Sequence, residues 1–248
     1  MKKLEIRKVS KSYFKDDIEY PVLLDINFDI ADGEILCILG SSGCGKTTLL
    51  RLTGGFELPD SGEILLKGQK IIKPNKDRIM LFQDFQQLFP WKTVLENVML
   101  PLNIHCIGKN IEVRKKTAQK YLSMVQLEGY EHYFPYQLSG GMKQRAAIAR
   151  SLALEPEILL MDEPFANLDA QTRNTIQKLL LEIWKQTGIT ILFVTHDIQE
   201  AITISQRIVI LNKNTKDISY IIENQLPRPR TPNQEGFGEM FNQIYDLI

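Results

Sequence analysis

The sequence predicts an α/β domain with a mainly parallel β-sheet core, an antiparallel β subdomain near its start and an inserted helical lobe. Three observations indicate this fold class. Short apolar runs alternate with segments of helical periodicity, which is typical of β-α-β units. A glycine-rich loop separates one apolar run from a helical segment, the usual setting of a phosphate loop. From about Asp84 to Leu154 the pattern changes to helices and loops.

The predicted elements follow the chain in order. Alternation at Leu4–Val9 and the apolar run Val22–Ile30 predict two antiparallel strands around a loop at Lys15–Tyr20. Runs of four to six residues of mostly apolar type predict further strands at Glu34–Leu39, Gly62–Leu66, Arg78–Phe82, Ile158–Met161, Thr190–Thr195 and Arg207–Leu211. Helical patterns lie at Thr47–Thr53, Val113–Val125, Leu138–Arg150 and Asp169–Thr187, and an apolar tail at Phe237–Ile248 is expected to dock as a terminal helix.

Composition excludes several classes of protein. The chain has 248 residues and a formal net charge of +0, so bulk charge gives no reason to expect nucleic acid as a partner. Three cysteines without a CxxC pair are typical of a reducing compartment. The basic N-terminus has no apolar segment behind it, and no run is long enough to span a bilayer. A cytoplasmic, soluble protein is the expectation.

A phosphate loop is the strongest local motif. The stretch GSSGCGKT fits G-x-x-x-x-G-K-[ST], and it comprises Gly40, Ser41, Ser42, Gly43, Cys44, Gly45, Lys46 and Thr47. Its glycines let backbone N–H groups point at phosphate oxygens, Lys46 adds a positive charge, and the Thr47 hydroxyl can ligate Mg²⁺. Cys44 can be interpreted as a tolerated small residue or as a redox sensor. The motif predicts binding of ATP or GTP.

Two carboxylates end the apolar run Ile158–Met161. An apolar strand delivers such groups to the carboxyl edge of a sheet, where phosphates bind. Asp162 is predicted to hold Mg²⁺, through water, and Glu163, on the other side of the strand, to take a proton from an attacking water. A solvated acidic turn is the alternative.

Three other residues are weaker candidates. His196 follows the strand Thr190–Thr195 and can reach a γ-phosphate, although a lone histidine is often structural. Gln83, after Arg78–Phe82, can contact Mg²⁺ or the water, and Tyr13 can stack on an adenine face. Both also have ordinary packing or surface explanations. The remaining histidines, His105 and His132, are expected at the surface.

The stretch LSGGMKQRAAIAR at 138–150 is a second helix start suited to an anion. Ser139 is followed by Gly140 and Gly141, which bare backbone N–H groups, and Lys and Arg come in the next turns. Since the chain's own nucleotide phosphate is expected at Gly40–Thr47, this second site is expected to bind a different phosphate.

Together these motifs resemble those of the nucleotide-binding subunit of ABC transporters, in the family's order and over essentially the whole chain. Tyr13 matches the aromatic loop that stacks adenine, and Gly40–Thr48, including Thr48, matches the Walker A loop. Gln83 matches the Q-loop. Leu138–Gln144 matches the signature, which is far more specific than a Walker A loop alone.

The second half of the chain completes the resemblance. Ile158–Glu163 matches the Walker B strand, ANLD at 166–169 with Asp169 the D-loop, and His196 the switch histidine. The implied cofactors are ATP and Mg²⁺, with Thr47, Gln83 and Asp162 at the metal. Glu163 is implied as the general base, and Gln83 and His196 as further catalytic residues.

The resemblance also implies an assembly. Two copies pair head to tail, so that Ser139, Gly140 and Gly141 of one complete the site around the ATP held by Lys46 of the other. The helical signature lobe at 84–154 receives a coupling helix from integral membrane permease subunits, and a solute-binding protein acts outside. The implied core comprises 1–83 and 155–225, with a C-terminal tail at 226–248, in one domain at the inner face of the membrane.

A narrower resemblance points to the ATPases of nitrate, sulfonate, taurine and bicarbonate importers. It rests on FPWKTVLENV at 89–98 after FQD at 82–84, and on LPRPR at 226–230. Two departures stand against naming a solute. Six residues separate Gln83 from Pro90, where five are commoner, and Asn167 replaces a smaller residue.

Two other functions compete with an importer ATPase. A soluble ABC-type ATPase acting on DNA or ribosomes would carry long coiled coils or two ATPase units, and 48–138 has no heptad array. A P-loop kinase would leave LSGGMKQR and His196 unexplained. The importer ATPase is therefore the function that the sequence favours.

Overall fold

The computed structural model describes residues 1–82, 87–166 and 168–248. In chain order the strands of these ranges are β1 (Lys2–Lys15), β2 (Ile18–Ala31), β3 (Ile35–Leu39), β4 (Ser61–Leu66), β5 (Gln69–Lys70), β6 (Arg78–Leu81), β7 (Ile158–Asp162), β8 (Thr190–Thr195), β9 (Arg207–Leu211) and β10 (Ile218–Glu223). The helices are α1 (Lys46–Gly54), α2 (Val94–Ile104), α3 (Ile111–Met124), α4 (Gly140–Leu152), α5 (Ala170–Thr187), α6 (Ile198–Ile204) and α7 (Phe237–Tyr245).

The strands form two sheets of different character. A four-stranded antiparallel sheet has the order β2-β1-β4-β5, and a six-stranded sheet has the order β10-β9-β3-β8-β7-β6. In the larger sheet every neighbouring pair is parallel except β10 with β9. The predicted fold class, a mainly parallel core with an antiparallel subdomain, is confirmed.

The β1–β2 hairpin differs from its prediction in the length of its loop. Both strands continue to within two residues of each other, and the turn is made by Asp16 and Asp17, with φ of 51° and 59°. Successive residues with positive φ match the twist of a tight hairpin, and aspartate tolerates this conformation better than most residues. The loop expected at Lys15–Tyr20 is therefore mostly strand.

The six-stranded sheet is covered on both faces, which explains why its central strands are apolar throughout. One face, with Leu36, Leu160 and Val194, packs against α1 and the antiparallel sheet. The other face, with Cys37 and Phe193, packs against helices of the second half of the chain and of the segment predicted as a lobe. The two cores lie on opposite faces of this sheet, so its central strands are buried on both sides.

Helices α2, α3 and α4 occupy the segment predicted as a helical lobe. Helix α2 was not predicted separately, although Thr93 and Glu96 form a capping box at its start. Helix α7 packs on α6 through the buried side chains Phe237, Met240 and Ile244, as expected for a docked tail. Among the described residues, no helix has the length and apolar character needed to cross a membrane.

The order of strands gathers the polar residues at one edge. Strand β8 lies between β3 and β7, with Leu39 opposite Thr195 and Asp162 opposite Val194. Since these three strands are parallel, their carboxyl ends meet at the same edge. The loops that follow β3, β7 and β8 are therefore neighbours.

Candidate active site

The loop between β3 and α1 is built so that only glycine fits at two of its positions. A Cβ at Gly40 would lie 2.7 Å from Cys44 Sγ and 2.8 Å from the Leu211 carbonyl oxygen. Gly45 has φ of 102°, and a Cβ there would lie 2.8 Å from Leu23 Cδ2. The backbone is thus held tightly against its surroundings, and its curvature is set before any ligand binds.

Lys46, the first residue of α1, lies inside this loop. Its side-chain Nζ donates hydrogen bonds to the carbonyl oxygens of Gly40 at 2.7 Å and Ser41 at 3.0 Å, and the residue is 5% exposed. The charged end is therefore surrounded by loop backbone at a helix N-terminus, where the helix dipole is positive. With Ser41, Ser42 and Gly43 exposed beside it, the loop presents a positive, open surface to an anion.

Cys44 is a packing residue in this loop. Its side chain is buried, and its backbone N–H donates to the Ser41 carbonyl at 3.3 Å. Burial raises the pKa of the Cys44 thiol above its ordinary value, which disfavours the reactive thiolate. The structure favours the small-residue interpretation over a redox sensor.

Thr47 and Asp162 meet beside the loop. The Thr47 hydroxyl donates to Asp162 Oδ1 at 3.1 Å, and Asp162 is buried at the end of β7. Burial raises the pKa of Asp162, and the Thr47 hydrogen bond opposes this in part. A hydroxyl and a carboxylate are oxygen donors of the kind that Mg²⁺ prefers, so the residues present fit the predicted ion.

Glu163 and His196 form a second pair, separate from the first. Glu163 Oε2 lies 3.1 Å from His196 Nδ1, and the two side chains are 20% and 59% exposed. Glu163 has φ of 43°, a left-handed conformation that is uncommon for a residue with a side chain. Its backbone N–H continues the strand pairing to the Val194 carbonyl at 3.1 Å. The two adjacent carboxylates therefore face different partners, Thr47 for Asp162 and His196 for Glu163.

Tyr13 lies near α1, at the far end of β1. Its hydroxyl donates to Glu57 Oε2 at 2.5 Å, and the residue remains 39% exposed. Burial and the Glu57 hydrogen bond raise the pKa of Tyr13, while the Thr48 side chain lowers it, which places Tyr13 close to Thr48. An anchored, half-open ring beside the phosphate loop is suited to stacking on a base.

The start of α4 is held by α5. Ser139 caps α4 by accepting a hydrogen bond from the Met142 N–H at 3.3 Å, and Asp169 caps α5 by accepting from Thr172 N–H at 2.9 Å. A Cβ at Gly141 would lie 2.5 Å from Thr172 Cγ2, whereas a Cβ at Gly140 would meet nothing within 4 Å. The two glycines thus differ, since one faces α5 and the other is open.

A hydrogen bond links α4 to the acidic turn. Gln144 is buried and donates through Nε2 to the Pro164 carbonyl at 2.9 Å. Gln83 and Asn167, by contrast, lie outside the residues that the structure describes, so the roles predicted for Gln83 stay predictions. His105 and His132 are exposed, as expected for surface residues.

Comparison with known proteins decides the family. The family model "ABC transporter" matches residues 23–166. The chain is 43% identical to an aliphatic sulfonates import ATP-binding protein of Bacillus cereus over 241 residues, which cover 97% of this chain and 94% of the relative. It is 47% identical to a taurine import ATP-binding protein of Yersinia pestis over 192 residues, 77% of this chain and 74% of the relative.

A solved structure agrees with these relatives. A dimeric post-hydrolysis state of an ATP-binding cassette bound to ADP and phosphate superposes with a TM-score of 0.79 at 34% identity, covering 90% of this chain and all of that one. This chain belongs to the ABC transporter family. It is an ATP-binding protein of that family, an ATPase coupled to transport.

In this ABC ATPase, sequence reasoning missed a group of residues beside His196. Arg173, on α5, donates to Asp197 Oδ2 at 3.2 Å and to the Leu168 carbonyl at 3.3 Å. Glu200 is buried and accepts from the Thr195 hydroxyl at 2.7 Å, and burial raises the pKa of Glu200 to about 7. These contacts join the segment around Asp169 to the segment that carries His196.

Part of this group had a signal in the sequence. Asp197 caps α6 by accepting from the Glu200 N–H at 3.1 Å, and D-x-x-E before an apolar stretch is a helix-start pattern. No pattern indicates that Arg173 would reach Asp197, because that contact depends on how α5 and α6 pack.

Proposed function

We propose that this chain is the ATP-hydrolysing subunit of an ABC importer, acting as a head-to-tail pair and serving a small anionic solute of the sulfonate class. One observation carries the ATPase part of the proposal. Lys46, the Thr47–Asp162 pair and the Glu163–His196 pair converge at one edge of the sheet, where a nucleoside triphosphate, a divalent ion and an attacking water can meet.

The chemistry follows from the positions of these groups. Loop N–H groups and Lys46 bind the phosphates, and Thr47 and Asp162 would hold Mg²⁺, which when bound neutralises phosphate charge. Glu163 accepts the proton of a water whose oxygen attacks the γ-phosphorus, while the bond to the leaving ADP oxygen breaks. His196, at 3.1 Å from Glu163, orients that carboxylate and faces the solvent side. Tyr13 stacks on the base.

The pairing of two copies is supported by the start of α4. Ser139 and Gly140 are exposed, and Gly141 lies against Thr172 of α5. A helix N-terminus that begins with glycine is suited to a phosphate, and the chain already has its own phosphate loop at Lys46. In the proposed dimer, Ser139, Gly140, Gly141 and Asp169 face the nucleotide bound to the other copy. The dimeric form of the solved relative supports this arrangement.

An apolar groove supports a permease partner. A cavity of about 390 Å³ is lined by residues of β6, α2 and α4 and by others near them, among them Phe82, Phe89, Leu100 and Ile104. Ile104 is exposed and Phe82 half-exposed, and exposed apolar surface of this kind is typical of a protein interface. We assign this groove to a coupling helix of the membrane subunits, which would keep the chain at the inner face of the membrane.

The solute class rests on the relatives. Those reported above are import ATP-binding proteins for aliphatic sulfonates and for taurine. An ATPase does not contact the transported solute, so the inference passes through common ancestry alone. The solute-binding protein that completes the importer would decide the choice among sulfonates and related anions.

Glu163→Gln tests the proposal at its catalytic step. The amide cannot accept a proton, so we expect hydrolysis to fall by about a hundredfold or more, with ATP affinity retained and a nucleotide-bound dimer trapped. The measurements are phosphate release, nucleotide binding, and mass by light scattering with and without ATP. Undiminished turnover would remove Glu163 from the base role.

Transport is tested in cells that carry either form of the chain. We expect uptake of labelled taurine or an alkanesulfonate to require the wild-type chain and to be lost with Glu163→Gln. Uptake that is equal with both forms would contradict the importer assignment for that solute, whatever the ATPase measurements show.

A further inference from the structure

The Leu226–Arg230 segment, LPRPR, binds the C-terminal end of α6. Arg228 donates to the carbonyl oxygens of Thr203 at 3.4 Å and Ile204 at 2.5 Å. Arg230 donates to those of Ile202 at 3.1 Å and Ser205 at 2.5 Å. Four consecutive carbonyls at the end of α6 therefore receive a guanidinium hydrogen bond.

These two arginines are also fixed from the other side. Arg230 donates to the Asn224 carbonyl at 2.9 Å and the Leu226 carbonyl at 2.8 Å, and the residue is buried. The guanidinium carbon of Arg228 lies 5.2 Å from the centre of the Trp184 ring, on α5. Asn224 itself donates to the Ile202 carbonyl at 2.7 Å. The segment thus joins the end of α6 to α5 and to the strand that precedes the tail.

The charge of this cluster is compensated by helix carbonyls. Among the described residues, neither arginine forms an ion pair with a carboxylate. Burial lowers the pKa of Arg228, and it lowers the pKa of Arg230 to about 10. The free carbonyls at a helix C-terminus carry partial negative charge and stabilise a cation placed there. Both arginines therefore stabilise the end of α6 through its carbonyl groups.

His196 lies just before the other end of α6. The helix has seven residues, which corresponds to about 10 Å at 1.5 Å per residue. Its capping residue Asp197 directly follows His196 and is held by Arg173 at 3.2 Å. Because α6 has only about two turns, we expect a shift at Ile204 to displace His196 as well.

We propose that Arg228 and Arg230 are positioning residues for ATP hydrolysis, which act through α6 on His196. The inference rests on the proposed role of His196 beside Glu163. The LPRPR segment would then affect catalysis from a distance, because it fixes the position of α6 and thereby that of His196. The docked helix α7, which packs on α6 through Met240 and Ile244, completes this anchor.

The test uses the full chain with MgATP and compares Arg228→Ala and Arg230→Ala with a matched control. Arg114 is also an arginine that binds carbonyls after a helix, those of Ile107 at 3.1 Å and Gly108 at 3.4 Å, but it lies in the α2–α3 region. Thermal unfolding, ATP affinity, steady-state hydrolysis and amide hydrogen exchange of Ile198–Ser205 are measured for all three variants.

We expect kcat to fall by about tenfold or more in both tail variants, since a small displacement of a catalytic group is costly. ATP affinity should change less than about twofold, because the phosphate loop is not disturbed. Exchange of the α6 amides should rise. Arg114→Ala should lower the unfolding temperature while leaving kcat and α6 exchange unchanged.

The results distinguish the positioning role of Arg228 and Arg230 from the proposed role of His196. Unchanged kcat in a folded Arg228→Ala chain, or a parallel loss of ATP affinity, would overturn the positioning role. Arg228 is only half-buried, so its variant answers the question even where Arg230→Ala fails to fold. If His196→Ala hydrolyses ATP like the wild type, the proposed function of His196 fails instead.

Discussion

The N-termini of α1 and α4 are chemically alike and structurally opposite. Helix α1 follows Gly45, α4 begins with Gly140 and Gly141, and both carry a basic residue close to their start. The start of α1 is enclosed, because a Cβ at Gly40 or Gly45 would collide with its neighbours and Lys46 is buried. The start of α4 is open, since Gly140 has nothing within 4 Å of a built Cβ and Ser139 is exposed. The start of α1 is therefore part of an enclosed binding loop, and the start of α4 is part of the exposed surface.

Capping makes the same distinction. No side chain caps α1, so its first N–H groups are left for a ligand, whereas the Ser139 hydroxyl takes one of those of α4. The nearby carboxyls differ as well. Burial raises the pKa of Asp162 beside α1, while the hydrogen bonds from Thr172 lower the pKa of the exposed Asp169 beside α4. These differences support the proposal that each chain binds its nucleotide at α1 and that the start of α4 contacts the nucleotide of a second copy.

The largest effect is expected from substitutions at the starts of both helices, α1 and α4. Lys46→Ala should weaken ATP binding by about a hundredfold, since a charged hydrogen-bond donor is lost. Ser139→Arg should abolish hydrolysis while the isolated chain still binds ATP. Mixing the two inactive variants should restore activity, because one composite site then has an intact Lys46 and an intact Ser139. Turnover in the mixture no higher than in the separate variants would contradict sharing of the site between copies.

A smaller effect is expected from Glu200, whose pKa makes the stability of the chain depend on pH. Burial raises the pKa of Glu200 from 4.5 to about 7 in the folded chain, so the folded state keeps a proton that the unfolded state loses as the pH rises between these values. The folded state therefore loses stability, relative to a chain without this carboxyl, as the pH rises from about 4.5 to 7, by up to about 3 kcal/mol.

Glu200→Gln should remove this dependence. The free energy of unfolding of this variant, measured with urea between pH 5 and 8, should increase relative to that of the wild type as the pH rises. Asp169→Asn serves as the control. The pKa of Asp169 is lowered, so its contribution is present at neutral pH and is lost only on acidification. A constant difference between Glu200→Gln and wild type across this range would refute the titration.

The smallest effect separates two adjacent glycines. Gly141→Ala would place a Cβ 2.5 Å from Thr172 Cγ2, so we expect a loss of about 1–3 kcal/mol from overpacking. Gly140→Ala meets open space at a helix start and should be neutral or stabilising, by up to about 1 kcal/mol. Urea unfolding measures both. Adding Thr172→Ser, which removes the methyl group, should recover most of the loss in Gly141→Ala, and no recovery would show that the clash is elsewhere.

Much of the site could be predicted because its groups are placed by local chain direction. A strand followed by a glycine turn and a helix leaves few ways to arrange Gly40–Thr47, and a strand that ends at Asp162 places Asp162 and the following Glu163 at the carboxyl edge of the sheet. Strand β10 was missed because it is a half-exposed edge strand without a continuous apolar run. Gln83 stays a prediction.

The sequence by itself determined the family, the two sheets, the phosphate loop and the separate existence of a second glycine-rich helix start. Each of these depends on contacts between residues close in the chain, or on a pattern repeated along it. Only the tertiary structure decided the contacts of Glu163 with His196, of Gly141 with Thr172, and of Arg228 and Arg230 with the end of α6. These join residues that are distant in sequence, and their partners are often backbone carbonyls, which look the same at every position of a sequence.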